Sequence, residues 1–168
     1  VLQSEAAECG LASIVMVARH YGHRINLPGL RQRYPPSARG STLEQLMAIA
    51  SDLELAPRAV RLEIEELEML QKPAILHWDM NHFVVLESLG GGTATIVDPA
   101  KGRQRIPLSK ISTHFTGVAL ELTPSGSRAA KTLERWKDPL VATLAEAPTE
   151  RREEALVLLL DLIAGLQD

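Results

Sequence analysis

Residues 9–22 (CGLASIVMVARHYG) carry apolar side chains almost without interruption and end at Gly22, which predicts a buried helix with a glycine stop. Residues 27–34 and 42–53 predict two further helices. In the second, Leu43, Leu46, Met47 and Ile49–Ala50 recur at helical spacing, and Ser41 or Thr42 with Glu44–Gln45 supplies a start signal. Pro35–Pro36 and Gly40 make the loop between them. From about residue 57 the period changes. Arg58–Leu62 alternates like a strand, and Ile64–Leu70 fits a short helix. Ala74–Trp78, Phe83–Ser88, Thr93–Val97, Gln104–Pro107 and Gly117–Leu122 are short runs rich in Val, Ile, Leu and Thr, punctuated by Gly, Pro and Asn. Short strands with tight links imply an antiparallel sheet. Helices first and sheet afterwards is an α+β layout.

Residues 123–130 (TPSGSRAA) are small and polar. The expected organisation is a domain over 1–124, a linker over 125–130, and a helical extension over 131–168, broken around Asp138–Pro139 and Pro148. Leu156–Ile163 is apolar on nearly every side, so this extension is expected to dock on something.

Composition narrows the function classes. With 168 residues, 45% hydrophobic and 23% charged, the chain is an ordinary globular protein about one domain in size. Lys+Arg total 18 against 21 Asp+Glu, a net charge of -3, which argues against a nucleic-acid binder with a basic face. No apolar run reaches the roughly 18 residues of a membrane span; Leu11–Ala18 and Ala155–Leu160 stop at Arg19 and Asp161. Glu5 and Glu8 precede the first apolar run where a signal peptide would be basic. The chain does not begin with Met, as expected of a piece of a longer protein. A single cysteine, Cys9, excludes an internal disulfide framework and fits a reducing, cytosolic setting.

Cys9 stands at the start of the first helix, where unpaired N–H groups and the macrodipole favour an anion, and the thiolate is the form of cysteine that attacks carbonyls. Such a nucleophile needs a base in hydrogen-bond reach and an orienter behind it. In a hairpin turning at Gly90–Gly92, centred on residue 90 or 91, His82 falls across from Asp98, the base–orienter half of a triad. A register slip of one residue would spoil this pairing. Gln3, six residues before Cys9, offers an amide N–H to an oxyanion, with the Cys9 backbone N–H as second donor.

These residues resemble a known family. Gln3-Ser-Glu-Ala-Ala-Glu-Cys9-Gly-Leu-Ala-Ser13 looks like the cysteine box of the C39 peptidases. His77-Trp78-Asp79-Met80-Asn81-His82-Phe83-Val84-Val85-Leu86 looks like their histidine box, and Val97-Asp98-Pro99 with Gly102 like their aspartate box. The resemblance covers about residues 1–124, with three boxes in order. It implies a papain-like fold in the cytosolic peptidase domain of a bacterial ABC transporter, one that removes double-glycine leaders from bacteriocin or microcin precursors. It makes Cys9 the nucleophile, His82 the base, Asp98 its orienter and Gln3 the oxyanion donor. The implied partners are the leader helix and the transmembrane and ATPase domains outside this chain, on the cytosolic face of the inner membrane. No metal or organic cofactor is expected.

Each reading has a plainer alternative. Cys9 alone would be a buried small hydrophobe, and Asp98 before Pro99 a turn residue. His77 is a rival base. Trp78, Met80, Asn81 and Phe83 are placed to line a substrate cleft, half-buried sheet positions being the other account. His20 and His23 lack further ligands at metal spacing, and Gly90–Gly92 lacks the Lys and Ser/Thr of a phosphate loop. Leu159, Leu162, Ala164 and Gly165 in the extension could mimic a leader ending in two small residues, a native packing helix being the alternative. The rival functions are a non-cleaving leader-docking domain and another papain-like acyl-transfer enzyme such as a deamidase or transglutaminase.

Overall fold

The structure, a computed structural model, describes residues 1–2, 6–38 and 40–126. Gln3, most of the expected linker and the extension over 131–168 lie outside the described residues. The chain divides into two units, Val1–Thr123 and Pro124–Asp168, and the architecture below belongs to the first.

A 3-10 turn, Ala6–Glu8, leads into α1 (Cys9–His20), followed by α2 (Leu27–Arg33) and α3 (Leu43–Asp52). Then come β1 (Leu55–Arg61), a 3-10 helix over Ile64–Met69, β2 (Ala74–Trp78), β3 (His82–Gly90), β4 (Thr93–Asp98), β5 (Gly102–Pro107), the single-turn α4 (Leu108–Ile111) and β6 (Phe115–Pro124). The helices are punctuated as the residues dictate. Asn26 caps α2 by accepting from the Gly29 N–H, and Thr42 with Gln45 forms a reciprocal capping box on α3. The short helix expected over Ile64–Leu70 is present as a 3-10 helix over Ile64–Met69, while α4 was not foreseen because one turn of LSKI carries no readable period.

The sheet has six strands in the order β1-β6-β2-β3-β4-β5, and the pairs among β2 to β6 are antiparallel. The last strand thus inserts beside β2, a rearrangement that strand spacing alone does not reveal. Two apolar clusters form. One gathers α1, α2 and α3 with Ile75, Phe83, Val85, Leu120 and Leu122, and the other gathers Leu76, Trp78, Val84, Leu86, Ile96 and Ile111. The period of two along β2 and β3 sends alternate residues to the two clusters. Helix α1 is the centre of the first: Leu11, Ala12, Ile14, Val15, Val17 and Ala18 are all buried. Gly10 allows its close approach to α3, because a Cβ there would sit 2.9 Å from Leu46 Cδ2. The Ser13 hydroxyl, buried on α1, donates to the Phe83 carbonyl of β3 at 3.4 Å. That bond ties the start of α1 to the start of β3.

Candidate active site

Cys9 is the first residue of α1 and is buried. The residue before it, Glu8, is fully buried and ion-paired with Arg31 of α2, which ties the helix start to its neighbour. In the sequence Glu8 stood as a mark against a signal peptide and as a member of the cysteine box; its position directly before the nucleophile candidate was the available signal. The Cys9 thiol acts on the His82 imidazole at the start of β3, as the first cause of its altered charge.

On its other side His82 meets Asp98. Nε2 of His82 lies 2.9 Å from Asp98 Oδ1, and the carboxylate is almost fully buried. The same Oδ1 accepts from the Ala100 N–H at 2.8 Å, a local turn that orients the carboxylate, while Lys101 Nζ stands 3.9 Å from Oδ2. A carboxylate only accepts, so Nε2 carries the proton of this bond, and Nδ1 is the nitrogen left for the thiol.

The strand register that makes this contact differs from the expected one. Near the turn the pairs are Gly90↔Thr93, Leu89↔Ala94 and Ser88↔Thr95; beyond a bulge at Glu87 they are Leu86↔Ile96 and Val85↔Val97. Without the extra residue, Asp98 would come level with Val85, an odd number of positions from His82 and so on the opposite face. With it, the register continued by one residue sets Asp98 level with Val84. His82 and Asp98 are then diagonal neighbours on one face, not directly opposed. Glu87 itself is held by Arg103 of β5, Nη2 to Oε1 at 2.6 Å.

These surroundings set the charge on the imidazole. The pKa of His82 is raised above 6.5, first by the hydrogen bond to Cys9; burial opposes this, and the bond and charge of Asp98 add to the rise. His77 shifts the other way, lowered from 6.5 by burial against a weaker opposing bond from the Met80 backbone. Its Nδ1 bonds Thr116 Oγ1 at 2.8 Å, and its ring lies against Phe83. It is not hydrogen-bonded to Asp98.

Of the residues expected to line a cleft, three come together. Met80, Asn81 and Phe83 share a cleft of ≈ 380 Å³ with Ser41, Thr42, Leu43, His77 and Val118. Trp78 does not join them. It is buried, stacked on His114 at 5.1 Å, and lines a smaller cavity with Asp98, Lys101 and Lys110. Its even position beside the odd ones of His77 and Phe83 sends it to the other face. Gln3 lies outside the described residues. Among those described, no group of three or more His, Cys, Asp or Glu is arranged to hold a metal, and no helix is long and apolar enough to cross a membrane.

A buried thiol acting on an imidazole that is in turn held by a carboxylate is an arrangement for nucleophilic attack on a carbonyl. The sequence model of the peptidase C39 family matches residues 1–127. The chain belongs to the peptidase C39 family. Membership makes it a cysteine peptidase domain with the papain-like α+β fold of that family. Among curated relatives, it is 46% identical over 132 residues to the colicin V secretion/processing ATP-binding protein CvaB of Escherichia coli, covering 79% of this chain and 19% of that one. It is 44% identical to the probable microcin-H47 secretion/processing ATP-binding protein MchF, also of Escherichia coli, covering 77% and 19%. The chain therefore spans about a fifth of the length of these relatives. Among solved structures it is similar to a double glycine motif protease from an AMS/PCAT transporter, in complex with the leader peptide. That likeness has a TM-score of 0.71 at 37% identity, covering 74% of this chain and 90% of that one.

Proposed function

We propose that this C39 domain removes the leader from double-glycine-type precursor peptides, cutting after Gly-Gly, Gly-Ala or Gly-Ser, as the peptidase part of an exporting ABC transporter. The observation that carries the reading is the His82 imidazole bonded to Asp98 through Nε2, with the Cys9 thiol acting on the same ring. The printed roles of the relatives, secretion and processing, and the leader bound in the similar protease support the substrate class.

In this reading the Cys9 proton passes to Nδ1 of His82, and Cys9 Sγ attacks the carbonyl carbon of the second small residue. The carbonyl electrons move to its oxygen, and the backbone N–H of Cys9 and the amide of Gln3 donate to it. As the oxyanion collapses, the C–N bond breaks and the imidazolium gives its proton to the leaving amine. Water then loses a proton to His82 and adds to the thioester, and the leader leaves with a free carboxylate as Cys9 regains its proton. Asp98 stays ionised and holds the ring in position. Met80, Asn81 and Phe83 are assigned to the groove beside the reacting carbonyl, and Trp78 supports the fold behind it. The partners are the leader helix and the transmembrane and ATPase domains of the transporter, with the reaction on the cytosolic face of a bacterial inner membrane.

Mass spectrometry of double-glycine precursors incubated with this chain and with Cys9→Ala tests the proposal. One cut after the pair, present only with Cys9, is expected. Leader binding without any cut would replace it with the docking-domain reading, and ammonia released from glutamine substrates without a leader cut would point to a deamidase.

A further inference from the structure

We propose that Asp79 and His114 are positioning residues for this peptidase: together they clamp the β2–β3 turn so that His82 is held against Cys9 and Asp98. The inference rests on the proposed reaction but is readable apart from it.

The turn joins Trp78 to His82, the last pair of the β2–β3 ladder, through Asp79, Met80 and Asn81. Asp79 and Met80 have φ of 47° and 64°, the left-handed region that residues with a Cβ disfavour. The hydrogen bond closing the turn, Asn81 N–H to the Trp78 carbonyl, is long at 3.2 Å. Such a turn persists where its surroundings over-determine it.

His114, on the segment entering β6, supplies that determination three times over. Its carbonyl accepts from the Asp79 N–H at 2.9 Å, its Nδ1 donates to Asp79 Oδ1 at 2.7 Å, and its ring stacks on Trp78 with the planes 13° apart. The β2 side of the turn is thus gripped by one residue, and neither Asp79 nor His114 touches the reacting atoms. The side chains of the pair are 43% and 50% exposed, so the ion pair itself adds little to global stability. A strained turn gripped by an exposed pair, three residues before the imidazole, fits a role in fixing the ring better than a role in holding the fold.

The test compares Asp79→Gly, Asp79→Asn and His114→Ala with the unaltered chain. Glycine accepts the backbone angle but offers no acceptor to His114, whereas asparagine keeps both the acceptor and the tolerance for positive φ. Cleavage of a double-glycine precursor is followed against pH, and Cys9 alkylation by iodoacetamide gives a readout that needs no substrate. The glycine and alanine variants are expected to lower kcat roughly tenfold with KM nearly unchanged, because misplaced reacting groups cost rate. The alkaline limb of the profile should move to lower pH as His82 loses its close partners, and alkylation should slow. Asp79→Asn should restore all three.

Unchanged kcat, limb and alkylation in Asp79→Gly would overturn the proposal. Should His114→Ala fail to fold, Asp79→Gly decides alone. Should the unaltered chain cleave no precursor, the leader-cutting reading falls, and the alkylation rates still decide whether the clamp positions His82.

Discussion

Two histidines stand on one hairpin, five positions apart, and their surroundings give them opposite characters. His82 has a thiol on one side and a buried carboxylate on the other, and its pKa is raised; His77 has the Thr116 hydroxyl and the Phe83 ring, and burial lowers its pKa. Both are partly buried and both belong to the same sequence box. Burial alone disfavours the imidazolium at either place, so the difference lies in the partners. What separates a candidate base from a cleft-lining histidine here is the Cys9 thiol together with the Asp98 carboxylate of β4, which the bulge at Glu87 brings onto the His82 face.

Removing partners is the way to break that contrast. The largest effect belongs to Cys9→Ala, which takes away the nucleophile and the first cause of the raised His82 pKa. Precursor cleavage should fall by about 10³-fold or more. Next, His82→Gln should cost roughly 10²–10⁴-fold in kcat, the range of a general acid–base, whereas His77→Gln should leave kcat within about threefold and act mainly on KM. Equal losses in both would erase the distinction.

Asp98→Asn sharpens it. A raised pKa means that His82 stays protonated above pH 6.5, and its loss of the proton forms the alkaline limb of cleavage. Without the Asp98 charge the pKa falls back, so the alkaline limb should shift to lower pH as kcat drops. The limb of a His77 variant should stay in place. The smallest effect is on stability: Gly10→Ala brings a Cβ within 2.9 Å of Leu46 Cδ2, expected to destabilise by about 1–3 kcal/mol in chemical denaturation while kcat per folded molecule holds.

The parts of this site differ in how legible they are. The thiol at a helix start was readable because the apolar run begins at Cys9 itself, and the capping box of α3 because Thr42 and Gln45 stand at the required spacing. The pairing of His82 with Asp98 was readable only to within two residues. A bulge adds one position without marking Glu87 in the sequence, and here it also restores the shared face. Trp78 lines a different cavity from Met80, Asn81 and Phe83, a separation that box membership does not encode, because it says nothing about which face a strand residue points to; the period of two does. Glu8–Arg31 and Asp79–His114 join residues far apart in the chain through contacts that no local pattern encodes. The insertion of β6 beside β2 is of the same kind, set by tertiary packing rather than by spacing.

The most direct test of the account is an NMR titration of the imidazole C–H signals, with His82 and His77 followed in the same sample and assigned by His82→Gln and His77→Gln. His82 is expected to titrate above 6.5 and His77 below it, with His82 falling in Cys9→Ala and again in Asp98→Asn. A His82 that titrates at or below His77, or that ignores the loss of Cys9 and Asp98, would contradict it.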